Sequence, residues 1–239
     1  MVFITADPHR DFRHIEAFCA TIGITPDDVM IILGDAGINF HEDTRDIWKK
    51  KELADIPITF FCIHGNHEIR PTTIPTYHTQ KWRGGMVYVE DEYPNLLFAK
   101  DGEIYDLDGH KTIAIGGAYS VDKPYRLAYG RYWWPDEQPS QEIKDYVQKR
   151  LDGAEWKIDI VLSHTVPLKY EPVEAFLPGV DQSGVDKSTE EWLDAIENRL
   201  EYKRWYCGHY HIEKQTDRIR MLHHTIEVFG AGDEANVSV

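Results

Sequence analysis

Five short apolar stretches of the sequence are each followed by side chains that bind metals or transfer protons. The stretches are VFITA, VMIILG, ITFFCIHG, IDIVLS and RWYCG, and the side chains after them are Asp7, His9, Asp35, Asn66, His67, His164, His209 and His211. Carboxylate, amide and imidazole groups without thiolate suit divalent ions such as Mn, Fe, Zn or Ni. With His67 set aside, the remaining ligands are too many for one ion and suit two that share a carboxylate. Such a pair of metals can clamp the attacking and leaving oxygens of a displacement at phosphorus.

The apolar stretches are typical of buried β-strands, and helix-like segments separate the first three. In residues 11–22 the apolar residues recur three and four positions apart, which predicts a helix with one apolar face. Residues 43–54 are predicted to form a more charged helix. Ser140 is predicted to cap a later helix, and Ser188 with Glu191 resembles a capping box for another. Strands that alternate with helices indicate α/β layering. In open α/β sheets, sites form at the carboxyl ends of the strands, so the polar side chains are predicted to meet there.

Residues 86–118 follow a different pattern from the alternating strands and helices. Asp-Gly pairs at 101–102 and 108–109 predict strands joined by tight turns, an antiparallel meander. Residues 218–229 again resemble strand. One domain over residues 1–239, with a mixed sheet or two facing sheets, is the economical interpretation.

Composition excludes several classes of protein. The 239 residues carry a net charge of −15, which argues against binding to long nucleic acid, because Lys and Arg supply that affinity. Three distant cysteines in apolar stretches indicate buried thiols in a reducing compartment. We recognise no signal peptide and no apolar run of the ~20 residues that a membrane span needs. A cytoplasmic protein without membrane partners is expected, and no pattern indicates an oligomeric state.

The ordered motifs DPH, GD, GNHE, SH and GHYH resemble those of the calcineurin-like metallophosphoesterases from residue 7 to residue 211. The resemblance implies a four-layer α/β/β/α sandwich with mixed sheets and a dimetal site at its edge. It implies one metal on Asp7, His9 and His211, a second on Asn66, His164 and His209, and Asp35 bridging both. It further implies attack by a metal-bound hydroxide, with His67 as the general acid that protonates the leaving oxygen.

Several functional alternatives remain beside a dimetal phosphoesterase. The stretch GDAGINF (34–40) lacks the Asp-Arg pair of protein Ser/Thr phosphatases, which disfavours that branch. A non-catalytic metal-binding module would lack ligands, and none is missing. A single-zinc hydrolase would bind one metal per chain. Phosphomonoesters, small phosphodiesters and nucleotides could all use the same residues, and a small nucleotide-type substrate is favoured.

The stretch GGAYSVDKPYRLAYGRYWWPDEQPS (116–140) is a long connection rich in aromatic residues. Long connections in compact domains are often lids or binding loops, so residues 117–140 form a possible lid. Arg126, Arg131 and Tyr119 are the candidates for binding the substrate phosphate and stacking on a ring. A surface flap held down by its own aromatics is the equal alternative. Residues 165–187 are a second candidate wall of the site.

Overall fold

Two β-sheets pack face to face in the computed structural model, which describes residues 1–176 and 178–231. The first sheet contains β1 (Val2–Thr5), β2 (Val29–Ile32), β3 (Thr59–Cys62), β4 (His78–Trp82), β5 (Gly85–Val89), β6 (Leu96–Ala99) and β13 (Glu227–Val228). Their spatial order is β13-β1-β2-β3-β6-β5-β4. The four neighbouring strands β1, β2, β3 and β6 are parallel to one another. The outer pairings, of β13 with β1, β6 with β5 and β5 with β4, are antiparallel.

The second sheet is also mixed. It contains β7 (Ile104–Leu107), β8 (His110–Ile115), β9 (Ile160–Ser163), β10 (Arg204–Cys207), β11 (Lys214–Thr216) and β12 (Ile219–Met221). Their spatial order is β11-β12-β10-β9-β8-β7, with β12, β10, β9 and β8 parallel. The parallel strands of each sheet therefore end at one edge, as the site requires.

Five α-helices accompany the sheets in the described part of the chain. They are α1 (Arg13–Ile22), α2 (Thr44–Ala54), α3 (Lys123–Ala128), α4 (Gln141–Gly153) and α5 (Ser188–Glu197). One apolar cluster fills the space between the sheets, a second joins the first sheet to α1 and α2, and a third joins the second sheet to α4 and α5. The layers are therefore α/β/β/α, and the predicted four-layer sandwich with mixed sheets is confirmed.

The side-chain alternation of β1 shows why the central strands are apolar throughout. Val2 and Ile4 face the other sheet, whereas Phe3 faces the helix layer. Strands covered on both faces bury every side chain, so they appear as continuous apolar runs. Helix α1 follows the same logic, burying Ile15, Phe18 and Cys19 against the first sheet. It ends at Gly23, whose φ of 66° is the left-handed conformation that favours glycine.

The predicted antiparallel meander is wrong as a single unit, because its strands belong to different sheets. β5 and β6 pair in the first sheet, whereas β7 and β8 pair in the second. The chain crosses between them at Asp101-Gly102, where the Asp101 carboxylate accepts a hydrogen bond from Gly116 N (2.5 Å) and pairs with Arg70. Residues 218–229 likewise divide, with β12 beside β10 and β13 beside β1.

The two predicted helix caps have different outcomes. Ser140 Oγ accepts a hydrogen bond from Ile143 N (3.3 Å), which confirms the cap of α4. The capping box at α5 is wrong, because Ser188 is already inside the helix and Lys187 occupies the cap position. Ser188 Oγ instead donates to Gln138 Oε1 (3.3 Å), so contact with the 117–140 segment replaces the local cap.

The three cysteines are buried and unpaired, as their apolar surroundings predicted. Burial raises the pKa of Cys19 to about 11 and also raises the pKa of Cys62 and Cys207. Among the described residues, no helix has both the length and the apolar character needed to cross a membrane.

Candidate active site

The ends of five parallel strands bring the eight predicted residues to one edge of the sandwich. Asp7 follows β1, Asp35 follows β2 and Asn66 follows β3 in the first sheet. His164 follows β9 and His209 follows β10 in the second. Two hydrogen bonds join the sheets here. His209 N donates to Asp7 Oδ2 (2.9 Å), and His164 Nδ1 donates to Leu33 O (2.8 Å).

Many of these residues have a backbone conformation that side-chain-bearing residues rarely adopt. Positive φ angles of 44° to 70° occur at Asp7, His9, Asp35, His209 and His211. Such strain costs of the order of 1 kcal/mol or more at each residue and persists where the surrounding structure demands it. The motif glycines allow the close packing, since a Cβ on Gly34 would collide with the His164 ring and one on Gly65 with Asp35. Both positions therefore require glycine.

One group of potential ligands consists of Asp7, His9 and His211, whose ligand atoms lie within 4.8 Å of one another. The Nε2 atoms of His9 and His211 are 2.9 Å apart. Asp7 is fully buried, and its Oδ1 has no hydrogen-bond partner. A buried carboxylate oxygen without a partner is costly, and a bound cation would satisfy it.

A second group centres on the amide of Asn66. Its Nδ2 donates to Ser120 Oγ (2.9 Å), which turns Oδ1 toward His164 Nε2 (2.8 Å) and His209 Nδ1 (3.1 Å). Because His164 Nδ1 donates to the Leu33 carbonyl, its Nε2 is the nitrogen that faces Asn66. Asn66 Oδ1, His164 Nε2 and His209 Nδ1 therefore converge, an arrangement that can hold a cation.

Asp35 lies between the two groups. Its Oδ1 is 3.5 Å from His164 Nε2, and its Oδ2 is 3.7 Å from His9 Nε2. Oδ1 also accepts a hydrogen bond from the backbone N–H of His67 (2.8 Å), which holds the carboxylate in place. Asp35 thus faces both ligand groups, the position expected of a bridging ligand.

The electrostatics of the cluster favour cation binding. Burial and the neighbouring Asp35 raise the pKa of Asp7. Burial acts to raise the pKa of Asp35, but the imidazoles of His164 and His67 outweigh it and hold that pKa below its usual range. Two buried carboxylates this close repel each other, and metal ions are the usual means of offsetting that repulsion.

The imidazoles are poised in the neutral form that binds metals. Burial lowers the pKa of His9 to about 4, although Asp35 opposes it. Burial and His223 lower the pKa of His211 to about 4, and burial with His164 also lowers the pKa of His209. Neutral imidazoles beside ionised carboxylate are the ligand set that Mn, Fe, Zn and Ni accept, so these residues fit two divalent cations.

His67 stands at the rim of the cluster, with its Nε2 3.9 Å from Asp35 Oδ2. Arg126 of α3 donates from Nη2 to His67 Nδ1 (2.5 Å), so a neutral His67 carries its proton on Nε2, toward the cluster. Burial lowers the pKa of His67, Asp35 opposes this, and Arg126 lowers it further. Arg126 is itself held by Asp122 Oδ2 (2.7 Å) and the Tyr132 carbonyl (2.9 Å).

A cavity of about 500 Å³ opens in front of the cluster. It is lined by Asp35, Asn66, His67, His209 and His211 and by residues between Glu171 and Glu190. Tyr119 lines it too, whereas Arg126 borders it only through His67, and the exposed Arg131 lies outside its walls. A larger cavity of about 1040 Å³ lies beside Arg70 and α4, but it contains none of the predicted metal ligands. The predicted metal ligands therefore border the smaller cavity.

Three supporting residues lie outside the predicted ligand set, and only Glu68 belongs to a motif, GNHE. Ser120 orients the Asn66 amide, and the only signal for it is a place just after β8. Glu68 accepts hydrogen bonds from Gly37 N (3.1 Å) and Gly65 N (3.3 Å), so it ties two motif loops together. Burial raises the pKa of Glu68 to about 8. The ring of His223 stacks on His211, with 4.7 Å between their centroids.

Comparisons with known proteins identify a family for this chain. The profile of the calcineurin-like phosphoesterase family matches residues 1–213. Among solved structures, TT1561 of Thermus thermophilus is similar over 93% of this chain and 87% of its own, at 12% identity and a TM-score of 0.47. A protein of unknown function from Aquifex aeolicus, AQ665, is similar over 72% of this chain and 81% of its own, at 14% identity and a TM-score of 0.33. A search of curated proteins finds no match.

The fold and the cluster together define a metal-dependent hydrolase of the four-layer sandwich class. The chain belongs to the calcineurin-like phosphoesterase family, because the family profile covers most of its length. Family membership implies metal-dependent hydrolysis of phosphoesters, and the grouped Asp and His side chains provide candidate positions for the metals.

Proposed function

We propose that this protein is a dimetal phosphoesterase that hydrolyses a small phosphodiester or phosphomonoester of nucleotide type. Asp7, His9 and His211 would hold one cation, and Asn66, His164 and His209 the other, with Asp35 between them. Two bound divalent cations would activate a water molecule and neutralise charge on the phosphoryl group.

The other groups of the chain position the substrate and move a proton. His67, as the imidazolium, would donate its Nε2 proton to the leaving oxygen. Arg126 is proposed to position the His67 ring at the rim of the site through their contact. The positive guanidinium of Arg126 also lies beside the site that a phosphate would enter. Tyr119 is proposed to stack on the organic part of the substrate at the cavity wall. Residues 117–140, which include α3, are proposed to act as a lid.

The observation that carries this proposal is the meeting of two ligand sets around one carboxylate. Asp7 Oδ1 is buried without a partner, Asn66 Oδ1 lies 2.8 Å from His164 Nε2, and Asp35 lies near both groups. A purely structural cluster would pair the buried Asp7 oxygen with a donor.

The cavity supports a small substrate over a phosphorylated protein. Its volume of about 500 Å³ falls in the range of small-molecule sites, and residues between Glu171 and Glu190 also line it. The net charge of −15 also opposes approach by long nucleic acid. A nucleotide-sized phosphoester meets both conditions.

Metal removal and return tests the proposed function. Stripped protein is expected to be inactive on bis-p-nitrophenyl phosphate and p-nitrophenyl phosphate, and Mn, Ni, Zn or Mg should restore turnover with two metals bound per chain. The measurement is release of p-nitrophenol beside metal content by mass spectrometry. Full activity with one metal bound per chain would favour a single-zinc hydrolase. The absence of both turnover and bound metal would overturn the proposal.

Removing the Arg126 guanidinium is expected to lower kcat/KM by about 10- to 100-fold, as for groups that orient catalytic residues. In Arg126→Ala, a fall in kcat at constant KM indicates lost positioning of His67, whereas a rise in KM indicates lost phosphate binding. Arg131→Ala provides the comparison, because that side chain is exposed outside the cavity. Unchanged kinetics in Arg126→Ala would remove Arg126 from the proposal.

A further inference from the structure

Several acids line the cavity, and most of them have partners. Glu171 pairs with Lys187 (2.6 Å), and Asp122 pairs with Arg126 (2.7 Å). Asp186 accepts hydrogen bonds from Ser188 N (2.9 Å) and Gln138 Nε2 (3.1 Å). The two cations beside these acids, Lys187 and Arg126, are therefore already paired.

Glu190 of α5 is the exception among these acids. Only 4% of the residue is exposed, and it lines the cavity. Its Oε1 accepts a hydrogen bond from the hydroxyl of Thr165 (2.7 Å). The same Thr165 hydroxyl lies 3.1 Å from Tyr210 Oη. Its Oε2 has no partner in the described part of the chain. Burial raises the pKa of Glu190 to about 7, which agrees with a carboxyl group that lacks a cation.

The wall around Glu190 is shaped for a flat apolar group. The rings of Phe176 and Tyr210 stack at 6.3 Å with 21° between their planes, and Val180, Val185 and Ile212 also line this part. Lys187 lies 5.2 Å from the Phe176 ring centroid, but its charge is already paired with Glu171. An aromatic surface beside one unsatisfied oxygen suits a planar ring with an N–H edge.

We propose that Glu190, with the Phe176–Tyr210 wall, forms a subsite that binds the base of a nucleotide substrate through an N–H donor edge. This inference rests on the proposed function, because the phosphate is placed at the metal ligands. The base stacks on the Phe176–Tyr210 wall and donates a hydrogen bond from an N–H group to Glu190 Oε2. A substrate without such a ring leaves the buried oxygen unsatisfied, so the subsite discriminates against it.

Equilibrium binding tests the subsite without depending on turnover. Calorimetry on the metal-loaded protein would compare guanosine 5′-monophosphate with ribose 5-phosphate, which lacks the base. The wild type is expected to bind the nucleotide at least about tenfold more tightly, and Glu190→Gln to remove about tenfold or more of that affinity. Binding of ribose 5-phosphate should not change. Equal affinity of the wild type for both ligands would overturn the proposal.

Two further variants separate recognition from folding. Glu191→Gln makes the same change at an exposed position of the same helix and should leave both affinities unaltered. Phe176→Ala changes a partly buried wall residue and should weaken nucleotide binding selectively even if Glu190→Gln fails to fold. A nucleotide affinity that is insensitive to both Glu190→Gln and Phe176→Ala would overturn the subsite.

Hydrolysis of bis-p-nitrophenyl phosphate, measured in parallel, distinguishes the two proposals. Turnover without selectivity for the base contradicts only the subsite. Selective binding without turnover of any phosphoester contradicts the proposed function and leaves the subsite supported.

Discussion

Replacing Asp35 with asparagine is expected to lower kcat/KM for bis-p-nitrophenyl phosphate by about 10³-fold or more, because metal ions supply several kcal/mol of transition-state stabilisation. Asparagine has nearly the same size and keeps an oxygen to accept the His67 N–H, but it loses the negative charge between the ligand groups. Metal content should fall from two ions per chain to one or fewer. Steady-state kinetics and mass spectrometry of the dialysed variant measure both effects.

Asp108→Asn is a matched control for this substitution. Asp108 has a φ of 51°, close to the 50° of Asp35, but it lies in the turn between β7 and β8. The control should retain two metals and wild-type turnover. If Asp35→Asn also retained two metals and full activity, a bridging role for Asp35 would be excluded. The melting temperature of each metal-free variant checks that the fold is intact.

Replacing His67 with alanine is expected to affect substrates according to their leaving groups. For a nucleoside 2′,3′-cyclic phosphate, whose leaving group is an alkoxide, loss of a general acid should lower kcat by about 10²- to 10⁴-fold. For bis-p-nitrophenyl phosphate, p-nitrophenolate leaves without protonation, so the loss should be much smaller. Metal content should not change, because His67 lies outside both proposed ligand sets. Kinetics with the two substrates, beside metal analysis, measure this difference.

The exposed His78 of β4 provides the control, since it lies outside the proposed ligand sets and the walls of the site cavity. This variant should hydrolyse both substrates at wild-type rates. An equal loss on both substrates in His67→Ala, with two metals bound, would argue against proton donation. It would instead indicate that His67 positions the substrate or Arg126.

The ligand cluster was predictable because parallel strands convert order along the chain into proximity in space. Val2 pairs with Val29 and Val29 with Thr59, so β1, β2 and β3 end in register. The polar residue after each strand then necessarily reaches the same edge. Local patterns also predicted α1 and α2 closely, because their apolar faces and ends are encoded within a few residues.

Features that depend on distant packing were harder to predict. The turn at Asp101-Gly102 resembles a hairpin turn, but Asp101 is held by Arg70 and Gly116, and the chain leaves one sheet for the other. In the sequence Ser188 resembles a helix cap, but in the structure its hydroxyl donates to Gln138, which is distant along the chain. The 117–140 connection appeared structureless but contains α3, which carries Arg126 to His67.

The sequence by itself determined the fold class and the candidate metal ligands, since both depend on strand order and on residue type at strand ends. Only the tertiary structure decided which strands share a sheet, which arginine reaches His67, and that Glu190 is buried in the cavity wall with one carboxylate oxygen unpartnered. In the sequence, Glu190 is one of two successive glutamates in the first turn of α5. Burial, and the partners that satisfy or fail to satisfy a buried group, arise from contacts between segments far apart in the chain.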